Sequence, residues 1–179
     1  MKNDRKTETS QWAPARTAPG GLLHATLATP LGAMTALANG QGLIALLFPG
    51  DAVPEDSRPS PRTGHAAIAC RQLGEYFARR RKVFELPFAW SLTPFRRKVL
   101  NRVARIPFGA TRSYGEIAAA IGQPGAARAV GGANNANPLP IIVPCHRVIG
   151  ADGRLVGYGG GLSIKAWLLE FEGAAQVAA

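Results

Sequence analysis

The 179-residue chain carries 21 Lys and Arg against 11 Asp and Glu, a formal net charge of +10, with 46% hydrophobic residues. Its hydrophobic content supports a globular fold and no apolar run reaches the ~18 residues of a membrane span. Two cysteines, Cys70 and Cys145, exclude a disulfide scaffold. The basic excess suits a polyanionic partner, and arginine leads it in 78–82 and 95–98, where a planar guanidinium matches phosphate.

Residues 1–20 read as a mobile polar tail. The first ten lack the apolar stretch of a secretory signal, so a cytoplasmic setting is expected. Strand-like runs follow at 22–28 and 33–38, joined by Thr29-Pro30-Leu31-Gly32, then at 43–48 after the turn signal Asn39-Gly40-Gln41-Gly42. They predict an antiparallel meander. The proline-rich stretch 49–62 is expected as exposed loop. From 64 to 80, Ile68, Leu73, Tyr76 and Phe77 fit one helical face, with Cys70 as an inert packing residue. A boundary near 87–92 separates a structural domain over 21–90 from a second domain over 91–173, followed by a tail at 174–179.

In the second domain Thr93 caps, and Pro94 opens, a helix to about 104 with Val99, Leu100 and Val103 as its buried stripe. Ile106-Pro107-Phe108-Gly109 ends it. Ser113-Tyr114-Gly115-Glu116 has capping-box spacing and opens a helix over 114–121. Gly122-Gln123-Pro124-Gly125 turns the chain into another helix over 126–135, and the pair resembles a helix-turn-helix. The second helix is nearly bare, with Arg128 as its one long projection. Gly131 and Gly132 each cost about 1 kcal/mol relative to alanine. They serve either close packing on a neighbour or close approach to a DNA groove, and the net charge favours the groove. A strand-like 141–143 leads into Pro144-Cys145-His146-Arg147. Gly157-Tyr158-Gly159-Gly160-Gly161 then offers a pliant wall. A last helix over 162–171 turns Ile164, Trp167, Leu168 and Phe171 inward, with Glu172 at its end. The fold class is α/β in an α+β arrangement: a small N-terminal antiparallel-sheet domain with a helix, then a mostly helical domain with a winged-helix-like helix-turn-helix.

The stretch 141–149 holds the chemistry. Pro138, Pro140 and Pro144 exclude a central strand ladder, so the segment shapes a pocket. Cys145 attacks only as a thiolate, and burial among Ile141, Ile142 and Val148 opposes ionisation. His146, oriented by Glu172, can take the proton. A carboxylate at a helix C-terminus is disfavoured by the dipole, which points to a specific role for Glu172. Tyr114 is either an acid or a packing aromatic. With no Cys-x-x-Cys and only His24, His65 and His146, no metal is expected. A Cys-His hydrolase also fits the pair but leaves the charge unexplained. A winged-helix-like regulator explains the charge but not Pro-Cys-His.

The Pro144-Cys145-His146-Arg147-Val148 core, with 128–137 upstream and 157–161 downstream, resembles the O6-alkylguanine-DNA alkyltransferase family over about 22–173. The resemblance implies direct repair of O6-alkylguanine, and less efficiently of O4-alkylthymine, in double-stranded DNA. Cys145 would take the alkyl group irreversibly, once per molecule, without a cofactor, in a protein that is monomeric and independent of membranes. The helix-turn-helix would enter the minor groove, with Ala127, Arg128, Ala129, Gly131 and Asn135 on the DNA and Arg128 filling the stack left by a flipped nucleotide. Tyr114 would protonate guanine N3, and Asn137 would brace the link from recognition helix to active site. His146 and Glu172 would activate Cys145 through a water, while Pro140, Val148, Tyr158, Gly159 and Gly160 shape the pocket. Two departures stand out: the zinc ligands of some members are absent, and Gly159 replaces a serine found in others. The presence of Cys145 separates the chain from relatives that bind alkylated DNA without repairing it.

Overall fold

The structure, a computed structural model, describes residues 21–174; the tail expected at 1–20, and all but Ala174 of the tail expected at 174–179, lie outside the described residues. Strands β1 (Leu23–Thr29), β2 (Gly32–Asn39) and β3 (Gly42–Leu47) form the antiparallel meander. Its turns are built by side chains that mimic backbone partners. Thr29 Oγ1 donates to Gly32 O, and Asn39 Oδ1 accepts from the N–H groups of Gln41 and Gly42. The stretch expected as loop contains a fourth strand, β4 (Arg58–Pro59), paired parallel to β1 at the sheet edge. An edge is where proline can join a sheet, because its missing N–H faces outward.

Helix α1 (His65–Phe77) covers β1 and β2. It ends at Phe77 rather than at 80, because Arg79 takes a left-handed φ of 58° and the N–H groups of Arg80 and Arg81 fold back onto Glu75 O. Helix α2 (Pro94–Val103) starts where expected, with Thr93 Oγ1 accepting from Arg96 N. It packs on α3 (Tyr114–Ala120) and α4 (Ala127–Asn135), which also pack on each other. The capping box on α3 closes both ways: Ser113 N donates to Glu116 Oε2 and Glu116 N to Ser113 Oγ.

Two short strands went unforeseen: β5 (Arg112–Ser113) pairs parallel to β6 (Val148–Ile149). One core runs through both halves, joining Met34, Leu43 and Leu73 to Leu100, Ile117 and Leu168. No described helix is long and apolar enough to cross a membrane.

Two expectations need correction. Residues 141–143 are a buried turn, not a strand. Ile141 has φ of 70°, and Val143 N donates back to Leu139 O. Prolines on both sides remove the donors a ladder needs, so apolar content here marks burial without pairing. The last helix, α5 (Leu162–Glu172), buries Lys165, Leu168, Leu169 and Glu172, while Ile164, Trp167 and Phe171 are only partly covered.

Candidate active site

Cys145, His146 and Arg147 form one turn of 3₁₀ helix between the buried turn and β6. Ser113 pairs with Ile149 in the β5–β6 ladder, one residue before Tyr114 and two after Arg147. That pairing brings the start of α3 against the cysteine segment. Cys145 and Tyr114 accordingly line the same cavity. Asn137, just past the end of α4, ties the same segment down: its Nδ2 donates to Val143 O (2.8 Å) and to Cys145 Sγ (3.1 Å).

Glu172 sits behind the cysteine at the centre of a buried cluster. Oε1 accepts from His146 Nε2 (3.0 Å), Arg147 Nη2 (2.7 Å) and Tyr76 Oη (2.7 Å). Oε2 accepts from Arg147 Nε (2.8 Å) and Gly109 N (3.2 Å). Gly109 has φ of 77°, and a Cβ there would lie 3.0 Å from Glu172 O, so only glycine fits this approach. Burial opposes the charge, but the bonds from His146 and Arg147 hold the carboxyl well below the usual carboxylate range. Tyr76 is pushed up by burial and by the Glu172 charge, and so stays a phenol donor.

A carboxylate only accepts hydrogen bonds, so His146 carries its proton on Nε2. Burial lowers His146 against the raising effect of Glu172, which leaves the ring neutral. Its Nδ1 then bears the lone pair, and that atom is buried with no hydrogen-bond partner among the described residues. No direct hydrogen bond joins it to Cys145. Burial pushes the Cys145 thiol up to about 11, although Asn137 and the Lys165 ammonium favour the thiolate. The resting group is therefore a thiol at neutral pH, and attack requires removing its proton. Lys165, itself lowered to about 8 by burial, donates to Val148 O (2.7 Å) and Val156 O (2.8 Å). Val156 O also accepts from Tyr114 Oη (2.9 Å).

The cavity has a volume of about 520 Å³, within the range of small-molecule sites. Cys145, Tyr114 and Tyr158 line it together with Ala127, Arg128, Gly131 and Asn135 of α4. Arg128, Ala129 and Asn135 are exposed. The fold itself does not require a bare α4: a Cβ at Gly132 would meet nothing within 4 Å, and one at Gly131 would make ordinary contact with the Tyr114 ring. Packing within the chain therefore fails to explain these glycines. Pro140 and Val148 are buried beside the site rather than on the cavity wall, and Gly159 faces open space. Gly160 lets the Phe48 ring approach so closely that a Cβ would lie 2.8 Å from it. Tyr158 stands edge-on to both Phe48 and His146.

Sequence reasoning missed Tyr76, Gly109, Lys165 and the buried role of Arg147. One signal was present. Lys165, Leu168, Leu169 and Glu172 lie at i, i+3, i+4 and i+7, the spacing of one buried face, bracketed by charges. Among the described residues, no three His, Cys, Asp or Glu side chains gather where they could hold a metal ion.

Fold and site together define an α+β protein whose helix-turn-helix half carries a buried cysteine opening onto a cavity. A family model described as 6-O-methylguanine DNA methyltransferase, ribonuclease-like domain, matches residues 22–90. Its companion, the DNA binding domain, matches residues 94–174. A methylated-DNA–protein-cysteine methyltransferase of Mycobacterium tuberculosis is 45% identical over 150 residues, 83% of this chain and 91% of that one. A constitutive methylated-DNA–protein-cysteine methyltransferase of Bacillus subtilis is 55% identical over 111 residues, 62% of this chain and 67% of its own. The crystal structure of Mycobacterium tuberculosis OGT in complex with DNA superimposes with a TM-score of 0.77 at 45% identity, covering 84% of this chain and 92% of that one. The chain belongs to the 6-O-methylguanine DNA methyltransferase family.

Proposed function

We propose that this chain is a methylated-DNA–protein-cysteine methyltransferase that repairs O6-alkylguanine in double-stranded DNA by moving the alkyl group onto Cys145, once per molecule. O4-alkylthymine is a poorer substrate. The observation that carries this reading is a buried thiol on the wall of a cavity whose rim is an exposed, nearly bare helix bearing Arg128. A target atom inside a duplex can reach such a thiol only if its nucleotide is flipped out, at a cost of a few kcal/mol. Arg128 offsets that cost by filling the gap from the minor groove, where small residues of α4 admit the helix. The protein acts as a monomer.

In the reaction the Cys145 proton passes through a water to His146 Nδ1, and Glu172 stabilises the imidazolium. The thiolate displaces guanine at the alkyl carbon: the S–C bond forms, the C–O6 bond breaks, and the electron pair stays on the base. Tyr114, kept protonated by burial and by the nearby Cys145 charge, turns from Val156 O to donate at guanine N3. Over the whole reaction the thiol hydrogen is replaced by alkyl and guanine gains a proton. A thioether is a stable end point, so no turnover follows.

The reading is tested by intact mass spectrometry after incubation with a duplex containing O6-methylguanine. One methyl per chain, mapped to the peptide holding Cys145, is the expected result; an unmodified chain, or methyl on Cys70, would refute it. Arg128→Ala should slow transfer from duplex at least tenfold while leaving transfer from free O6-benzylguanine within about twofold, since only the duplex must be unstacked. Equal losses on both substrates would exclude the gap-filling role.

A further inference from the structure

The end of β3 reaches from the N-terminal half to the cysteine segment. Leu46 N donates to Pro138 O (2.8 Å), next to Asn137. Phe48 follows two residues later, and its backbone is pinned. Phe48 N donates to Asp51 Oδ2 (2.8 Å), and Asp51 N donates to Phe48 O (3.1 Å). From this base the ring tip meets the pocket wall. A Cβ on Gly160 would lie 2.8 Å from Cζ of Phe48 and 3.1 Å from both Cε atoms. Gly157 and Gly161 take left-handed φ values of 40° and 92°, but Gly160 does not. The missing side chain of Gly160 therefore serves this contact and not the backbone. Hydrogen bonds anchor the wall only at its flank, where Val156 O accepts from Tyr114 Oη and Lys165 Nζ. Tyr158 O accepts from Gly161 N inside the loop itself, and Tyr158 Oη is buried with no partner among the described residues. The Tyr158 ring stands edge-on to Phe48, centroids 5.9 Å apart, and to His146 at 6.5 Å. Ring packing thus fixes where Tyr158 stands. Tyr158 lines the cavity with Cys145; Phe48 stands behind it.

We propose that Phe48, on the N-terminal sheet, is a positioning residue that holds the Tyr158 wall in place and so sets which alkyl groups react at Cys145; this rests on the repair function proposed above. In the displacement the alkyl carbon must stand in line between Sγ and O6, and a misplacement of about 1 Å costs about 10²-fold. A methyl group has too little surface to locate itself, so the wall must hold its base. A benzyl group brings a ring of its own that packs against whatever surface it meets. Without the Phe48 ring, Tyr158 leans into the vacated space and the cavity widens. The loss then falls on the small substrate. A residue of the first half of the chain selects the substrate without touching it.

The test compares single-turnover transfer from duplexes holding O6-methylguanine or O6-benzylguanine, which share the same flipping step. Phe48→Ala should slow methyl transfer about ten- to hundredfold and benzyl transfer by less than about threefold, so the benzyl-to-methyl rate ratio rises. A protein that is merely less stable loses active molecules for both substrates alike, and the ratio stays put. Phe48→Leu, a shorter wedge, gives the same comparison if the alanine variant fails to fold. A double-mutant cycle probes the contact itself. Gly160→Ala alone should slow methyl transfer about tenfold, because its Cβ runs into the ring, but in the Phe48→Ala background it should add less than about twofold. An unchanged rate ratio, or costs that simply multiply, would overturn the inference while leaving the repair function intact. Wild-type protein that transfers from neither duplex would overturn the repair function, and the inference with it.

Discussion

Cys145→Ala should abolish alkyl transfer while leaving duplex binding within about threefold of wild type. The thiol lies on the cavity wall, whereas Arg128, Ala129 and Asn135, the residues proposed to meet the duplex, are exposed on α4. Nothing in the substitution disturbs α4. Asn137 keeps its bond to Val143 O when Sγ is lost, so the segment stays tied and the stability cost should be about 1 kcal/mol. Cys145→Ser separates polarity from nucleophilicity. Serine can still accept from Asn137 Nδ2, but its hydroxyl does not ionise at this site, so transfer should also vanish. Cys70→Ser is the control. Cys70 sits in α1 with its Sγ donating to Ala25 O, far in sequence from the cysteine turn, and burial pushes its thiol up. Labelled methyl recovered on protein after Cys145→Ala would remove this residue from its role.

How much of this was readable beforehand depends on the range of each interaction. Thr93, Pro94 and the Ser113–Glu116 box act within one helical turn, and all three set helix starts as their local chemistry dictates. The Asn39 turn is equally local. Strands β4, β5 and β6 are two residues each and exist only through partners far along the chain, so no local pattern announces them. Apolar content at 141–143 reported burial correctly but not conformation. The core of the site divides the same way. Cys145, His146 and Arg147 are contiguous and stand out together. Tyr76 looks like any aromatic on an amphipathic helix, and its hydroxyl meets Glu172 only because α1 folds against the end of α5, 96 residues away. The first half of the chain therefore supplies one of the hydrogen bonds that hold the carboxylate behind His146.

Glu172→Gln is expected to have the second-largest effect, on stability and on rate together. Glu172 and Arg147 are both buried, with side chains 0% and 5% exposed. Removing the anion leaves a guanidinium without its counter-charge, and breaking a buried pair in this way costs about 3–5 kcal/mol. For a chain of this size that corresponds to a fall in Tm of roughly 6–20 °C. The glutamine nitrogen must also face donors from Arg147, Tyr76 or Gly109. Where it takes the Oε1 position it also faces His146, so it donates to Nε2 and the imidazole proton moves to Nδ1. The base is then lost, so transfer should slow by about 10²–10⁴ even in protein that remains folded. The pH dependence separates this account from a simple packing defect. Glu172 is depressed in the folded state, so its stabilisation is present above its unfolded value of about 4.3 and is lost as pH falls through the folded value. His146 is also depressed, so the unfolded chain begins to gain a proton relative to the folded one below about 6.5. Wild-type stability should therefore fall in two stages on acidification, and Glu172→Gln should flatten the lower stage. Denaturant titrations from pH 7 to 3.5 measure this directly; parallel curves for the two proteins would mean that Glu172 is not held as the buried anion on which His146 depends.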